Sequence, residues 1–206
     1  MKMGVYKKIE SPHFFNIVTN LFSLCGRGKR VHKVLGKIFD QECKDRVLEL
    51  GSGTSQFYFH YLRNVCSYIV SDINLEYLRF SKRKTEMKNI PHIVFDAQNI
   101  PFQDNSIDRV FALFLFHHLC DEAAINAFNE CRRIVRKGGK IIIADPFLPE
   151  KNYDFIAKFL AKIDRGRWIR DKDKFYSMLG LENFDVSEHY LEGSYPYNIY
   201  IFIVNN

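Results

Sequence analysis

The chain has 206 residues, enough for one domain that buries roughly 70% of its unfolded surface, so folding requires neither disulfides nor a metal. Apolar residues make up 47% and charged residues 26%, which excludes long disorder and collagen-like repeats; the longest pure apolar run, the seven residues Val110 to Phe116, is too short to span a bilayer, and no transmembrane segment is expected. With 30 basic and 24 acidic side chains the net charge is +6, which permits an anionic partner but lacks the clustered basic signature of a nucleic-acid binder.

At the N-terminus, Lys7 and Lys8 precede FFNIVTNLFSLC, the outline of a secretory or lipoprotein signal. Asn16, Thr19 and Asn20 interrupt its apolar run, and Leu24 stands where a small residue should precede a lipidated cysteine, so the segment is not read as a signal. Residues 12–25 and 28–40 read instead as two helices, part of an N-terminal helical cap over 1–40. The five cysteines (Cys25, Cys43, Cys66, Cys120 and Cys131) are odd in number and show no CxxC spacing, which argues for a reducing, cytoplasmic setting without structural zinc.

From Arg46 onward short strand-like runs alternate with helical patterns. RVLEL (46–50) reads as a strand, TSQFYFHYLRNV (54–65) as a helix, SYIVSD (67–72) as a strand and NLEYLRFSKRKTEMKN (74–89) as a helix. HIVFD (92–96) and the continuously apolar IDRVFALFLF (107–116) follow as strands three and four. Residues 121–136 read as a helix, with Asp121 available to cap it and Gly138 and Gly139 placed to stop it; GKIIIAD (139–145) is strand five. Pro146 to Gly180 is helical and irregular, a candidate substrate-lid insertion over 146–181. FDVSEHYLEG and YPYNIYIFIV then make two extended runs whose short connection permits only an antiparallel pair. The whole reads as a single α/β domain, 1–206, with a Rossmann-like, seven-stranded, mostly parallel sheet, order 3-2-1-4-5-7-6, strand 7 antiparallel, and helices on both faces.

The sharpest chemical signal is LELGSGTSQF (48–57), a strand running through Gly51-Ser52-Gly53 toward a helix, where backbone can approach a ligand closely. A dinucleotide fingerprint needs Gly or Ala at 56, where this chain has Gln56. Asp72 closes the second strand, where a carboxylate can accept both ribose hydroxyls, and Asp96 follows the third, where it can accept from an exocyclic amine. Together with Glu49, these residues occupy the ends of three successive strands.

VLELGSGTS, YIVSDIN, FDAQNIPFQDNSIDRVFALFLFHHL and ECRRIVRKGGKIIIAD together resemble the class I S-adenosylmethionine-dependent methyltransferases, in particular the small-molecule, ubiquinone/menaquinone-type branch. The resemblance implies that S-adenosylmethionine is the cofactor. It implies that Glu49 orients the methionine amino end, Gly51 and Gly53 let backbone pass it, and Asp72 holds the ribose. It further implies that Ile73 packs on the adenine, Asp96 and the Ala97 N–H read its edge, and the Leu113 carbonyl faces the methionine amine. The family's third glycine is replaced by Ser55, which is expected to cap the following helix and leave binding intact.

His117 and His118 follow strand four at the cofactor rim and are the candidate catalytic bases, His118 the preferred one. No (Asp/Asn)-Pro-Pro-(Tyr/Phe) follows strand four and no Pro-Cys pair occurs, which disfavours DNA-base amino methylation and RNA cytosine chemistry; no metal site is expected, Asp145 alone being insufficient. Phe155, Phe159 and Ile163 with Lys158, Lys162, Arg165, Arg167 and Arg170 suggest a pocket for an apolar small-molecule acceptor with an acidic group. Two other readings stand beside it: a degenerate cofactor-binding or interaction protein, for which Ser55 argues, and a tRNA or rRNA methyltransferase, for which only the charge argues.

Overall fold

The structure, a computed structural model, describes residues 12, 33–37, 43–55, 65–84, 87–148, 167–191 and 198–206. One seven-stranded sheet organises them. Its strands are β1 (Cys43–Leu50), β2 (Val65–Asp72), β3 (His92–Val94), β4 (Ile107–Leu113), β5 (Val135–Phe147), β6 (Asp185–Leu191) and β7 (Asn198–Asn205). The spatial order is β3-β2-β1-β4-β5-β7-β6; the first five strands run parallel and β7 runs antiparallel to both β5 and β6. This is the order and the antiparallel strand expected from the alternation of strand-like and helical runs.

The central strands are apolar on both faces because both faces are covered. On one, Leu48, Leu50, Val110, Ala112, Ile141 and Ile143 pack against Ala124, Phe128 and Cys131 of α2 (Asp121–Ile134) and Phe175 of α3 (Lys172–Met178). On the other, Val47, Val70, Phe111, Ile142 and Ile201 pack with Leu78 of α1 (Leu75–Lys82), Met87 and Leu35, which lies in a helical stretch at 33–37. The edge strand β6 exposes Asp185, Ser187, Glu188 and His189, polar side chains that discourage further strand pairing.

Several boundaries differ from the sequence reading. β4 ends at Leu113 instead of 116, because Phe114 takes a left-handed φ of 56° and swings the chain out into a tight turn, Phe116–His118. α1 stops at Lys82, short of 89; the chain then folds back so that Met87 is buried and Lys82 Nζ meets the Ile90 carbonyl at 2.8 Å. α2 stops at Ile134 without glycine, Val135 already having extended dihedrals and pairing with Ile107. Gly139 serves a bend in β5 instead: a Cβ there would lie 2.6 Å from the Asp108 carbonyl oxygen. Asp121 makes no capping bond, the N-cap being Cys120. The expected helix at 54–65 lies outside the described residues from 56 to 64, as do nearly all of the two N-terminal helices and residues 149–166 of the expected lid.

Candidate active site at the C-terminal rim of the sheet

All five parallel strands point their carboxyl ends to one rim, where open α/β sheets bind ligands. The turn after β1 is built from three residues in left-handed conformation: Gly51 (φ 64°), Gly53 (φ 55°) and Ser55 (φ 54°). At Gly51 a Cβ would sit 2.7 Å from Leu115 Cδ1, so the β1 turn lies directly against the turn that follows β4. The loop is fastened from β2: the Gly53 N–H donates to Asp72 Oδ2 at 2.9 Å and the Ser52 N–H to the Ser71 carbonyl at 2.9 Å.

Asp72 also accepts the Asn74 N–H at 2.8 Å, so its carboxylate ties the β1 turn to the start of α1. Burial pushes its carboxyl up, against the pull of the backbone N–H groups of Asn74, Gly53 and Ile73. Ile73 is 56% exposed and Val94 47%, apolar surface at the ends of β2 and β3 beside Asp72. After β3, Asp96 Oδ1 accepts the Gln98 N–H at 2.9 Å and shapes the turn that carries Ala97.

Glu49 is buried one strand position before the end of β1. It is paired with Val70, so Tyr68, two residues earlier on β2, lies on the same face, and the Tyr68 hydroxyl donates to Glu49 Oε2. Burial is the main cause that pushes the Glu49 carboxyl up to about 7, with Asp72 adding to it and the Tyr68 hydrogen bond and Lys84 opposing it. Sequence reading missed Tyr68, although its period-two alternation with Asp72 puts both on the Glu49 face.

Ser55 precedes the part of the expected helix that lies outside the described residues. The left-handed backbone of Ser55 aims Oγ at Ser81 Oγ, 2.8 Å away, and Ser81 Oγ lies 3.0 Å from His92 Nε2, whose Nδ1 is 2.7 Å from the Ile90 carbonyl. Ser52 Oγ is the one buried side-chain polar atom without a hydrogen-bond partner among the described residues. A tight turn with an orphaned hydroxyl, flanked by the buried Glu49 carboxylate and the half-buried Asp72 carboxylate, suits a ligand that carries both hydroxyl donors and a cationic group.

The turn after β4 brings His117 and His118 together, ring centroids 4.0 Å apart. His117 Nδ1 lies 2.8 Å from Oδ1 of Asp145, near the end of β5, a partner that sequence reading considered only as a metal ligand. Leu113, buried and paired with Ala144, begins this turn. Arg170, expected on a basic acid-binding face, is instead buried: it bonds Asp121 and the carbonyls of Phe116, Trp168 and Leu119, holding the histidine turn from behind. Arg167 and Trp168 are exposed, whereas Phe155, Phe159, Ile163, Lys158, Lys162 and Arg165 lie outside the described residues.

Residues 48–143 match the family model described as a methyltransferase domain. The chain is 27% identical over 131 residues to a demethylmenaquinone methyltransferase of Paenarthrobacter aurescens, covering 64% of this chain and 50% of that protein. It is 30% identical over 122 residues to a ubiquinone/menaquinone biosynthesis C-methyltransferase of Francisella philomiragia, covering 53% and 48%. The chain thus spans about half the length of these relatives. Among solved structures, a SAM-dependent methyltransferase from Aquifex aeolicus superposes with a TM-score of 0.68 over 96% of this chain and all of that one, at 16% identity. Residues 48–143 are similar to a methyltransferase domain, and the sheet that carries them has the fold of the S-adenosylmethionine-dependent methyltransferase structure it superposes on, as the sequence resemblance implies.

Proposed function

We propose that the chain is an S-adenosylmethionine-dependent methyltransferase acting on a small-molecule acceptor. The observation that carries this reading is the β1 turn: three left-handed residues pinned by Asp72, next to the unpartnered Ser52 hydroxyl. In it, Glu49 faces the ammonium of the cofactor's methionine end, Gly51 and Gly53 bring backbone close to that end, and Asp72 accepts the ribose hydroxyls. Ile73 packs on the adenine, Asp96 and the Ala97 N–H meet its polar edge, and the Leu113 carbonyl faces the methionine amine.

The cofactor supplies an electrophilic methyl group on a sulfonium. The chain supplies position, and holding a nucleophile in line with that methyl accounts for on the order of 7–11 kcal/mol of the barrier. His117 and His118 are the side chains on the β4 turn able to handle an acceptor proton.

The relatives' names point to a quinone-type acceptor, in keeping with an apolar small molecule. No helix among the described residues is long and apolar enough to cross a membrane, and the odd cysteine count favours the cytoplasm. Residues 1–40 and 146–181 are the chain sections available to cover the rim and select the acceptor.

Calorimetry with S-adenosylmethionine and S-adenosylhomocysteine tests the cofactor. Methyl-labelled cofactor, offered to a small-molecule extract and separately to total RNA, tests the acceptor class. Binding followed by label in the small-molecule fraction is expected. Binding without transfer to either would favour the degenerate reading, and label in RNA would overturn the small-molecule acceptor.

A further inference from the structure

Asp145 is a carboxylate 2% exposed near the C-terminal end of a parallel strand, next to Ala144, which pairs with Leu113 at the end of β4. A charge in such a place needs a close partner. It has one in His117, itself 8% exposed, whose Nδ1 is 2.8 Å from Oδ1. A carboxylate only accepts, so Nδ1 carries the hydrogen, and in the neutral imidazole Nε2 keeps its lone pair.

The imidazole is also held through its backbone. The Trp168 N–H donates to the His117 carbonyl at 3.0 Å, and Arg170 grips the Phe116 and Leu119 carbonyls on either side at 3.1 and 2.5 Å. Nε2 has no hydrogen-bond partner among the described residues, and since Ser52 Oγ is the one buried polar atom in that condition, Nε2 reaches the protein surface. Leu115, two residues before His117, abuts Gly51, so the turn that carries this imidazole borders the glycine turn.

We propose that Asp145 is a positioning residue that fixes His117 in the Nδ1-protonated tautomer, making Nε2 the general base for an acceptor with a phenolic or hydroquinone hydroxyl. The inference rests on the methyltransferase reading above. His117 Nε2 takes the hydroxyl proton. An electron pair of the resulting phenolate forms the bond to the methyl carbon as the carbon–sulfur bond breaks and its pair stays on sulfur. Attack is through oxygen or through the ring carbon ortho to it; in the second case the displaced ring proton returns to the oxygen. The imidazolium that forms faces the Asp145 carboxylate, which stabilises it. An acceptor without a removable proton, such as a thioether or a tertiary amine, gains nothing from this pair.

The test is nitrogen-15 NMR of the histidine rings in the full chain, with and without S-adenosylhomocysteine, combined with methylation of 1,4-naphthohydroquinone and catechol. In the wild type the His117 signals should be those of the Nδ1–H tautomer. In Asp145→Asn the amide N–H₂ can donate to Nδ1, so the signals should move toward the Nε2–H form. Turnover should fall about 10²–10⁴-fold with cofactor affinity within about twofold of wild type. His117→Gln, which keeps a side-chain amide beside Asp145, should lose turnover to the same extent and covers the case in which Asp145→Asn does not fold. An Nε2–H tautomer in the wild type, or either variant keeping turnover within about threefold, would overturn the dyad. Cofactor binding without methylation of either probe would overturn the phenolic acceptor, whereas failure of the wild type to bind the cofactor would overturn the methyltransferase reading itself.

Discussion

Asp72 on β2 and Gly53 after β1 are joined by a 2.9 Å hydrogen bond from the glycine N–H to Oδ2. The same carboxylate that would accept ribose hydroxyls therefore also shapes the turn proposed to lie beside the methionine end. Asp72→Ala removes both functions. It should weaken S-adenosylmethionine binding by about 1.5–3 kcal/mol, the scale of hydrogen bonds to a charged group. It should also raise hydrogen exchange at the Gly53 amide. Unchanged calorimetric affinity would remove the ribose assignment.

Ser55 gives a prediction about the altered glycine motif. Its φ of 54° is strained for a residue with a Cβ, and its Oγ partly offsets that through Ser81. Ser55→Ala keeps the strain and loses the hydrogen bond, whereas Ser55→Gly loses the bond but relieves the strain. Urea denaturation should find Ser55→Gly more stable than Ser55→Ala by about 1 kcal/mol. Cofactor binding should survive in Ser55→Gly, because the turn keeps its backbone path. The reverse order of stability would show that the left-handed conformation is not maintained in solution.

Glu49 makes stability and cofactor affinity depend on pH in opposite ways. Burial raises its carboxyl from 4.5 to about 7 in the fold, so between those values the folded chain holds a proton that the unfolded chain has lost. Its contribution to stability therefore falls as pH rises from about 4.5 to about 7, by on the order of 3 kcal/mol, and is constant above. A cofactor ammonium beside Glu49 favours the ionised form, so affinity should rise across pH 6–8 with release of a proton. Glu49→Gln should flatten both profiles. A Glu49→Gln chain with the wild-type slope in calorimetry would separate Glu49 from the cofactor.

The parts of this molecule legible in its sequence are those set by local pattern. Alternation of apolar strands with helical periods fixes the parallel order, and the short connection near Gly193 fixes the antiparallel β7. Gly51, Gly53, Asp72 and Asp96 are readable because strand ends are readable. The rest depends on side chains meeting across long stretches of chain. Asp145 is 28 residues from His117, and Arg170 is 54 from Phe116. No periodicity encodes either contact. The left-handed Phe114, which turns the histidines out of β4, is equally hidden, since phenylalanine in an apolar run reads as strand.

Arg170 supplies a last prediction, which separates its two kinds of partner. Its guanidinium is buried and satisfies the carbonyls of Phe116, Trp168 and Leu119, while its ion pair is with Asp121, which is 42% exposed and also bonds Lys174. Asp121 is the exposed half of the pair, and Asp121→Asn keeps a side-chain oxygen for the buried guanidinium, so it should cost only about 1–2 kcal/mol in urea denaturation. Arg170→Met leaves three backbone acceptors without their donor in a partly buried turn and should cost about 3 kcal/mol or more. Arg170→Lys should fall between them, because an ammonium is a single point of donation and cannot reproduce the planar fork that reaches both sides of the turn. The loss should also be local: hydrogen exchange at the His118 amide, bonded to the Leu115 carbonyl at 3.0 Å, should rise in Arg170→Met before the sheet amides respond. Equal costs for Asp121→Asn and Arg170→Met would mean that the ion pair, and not the carbonyl contacts, is what anchors the histidine turn.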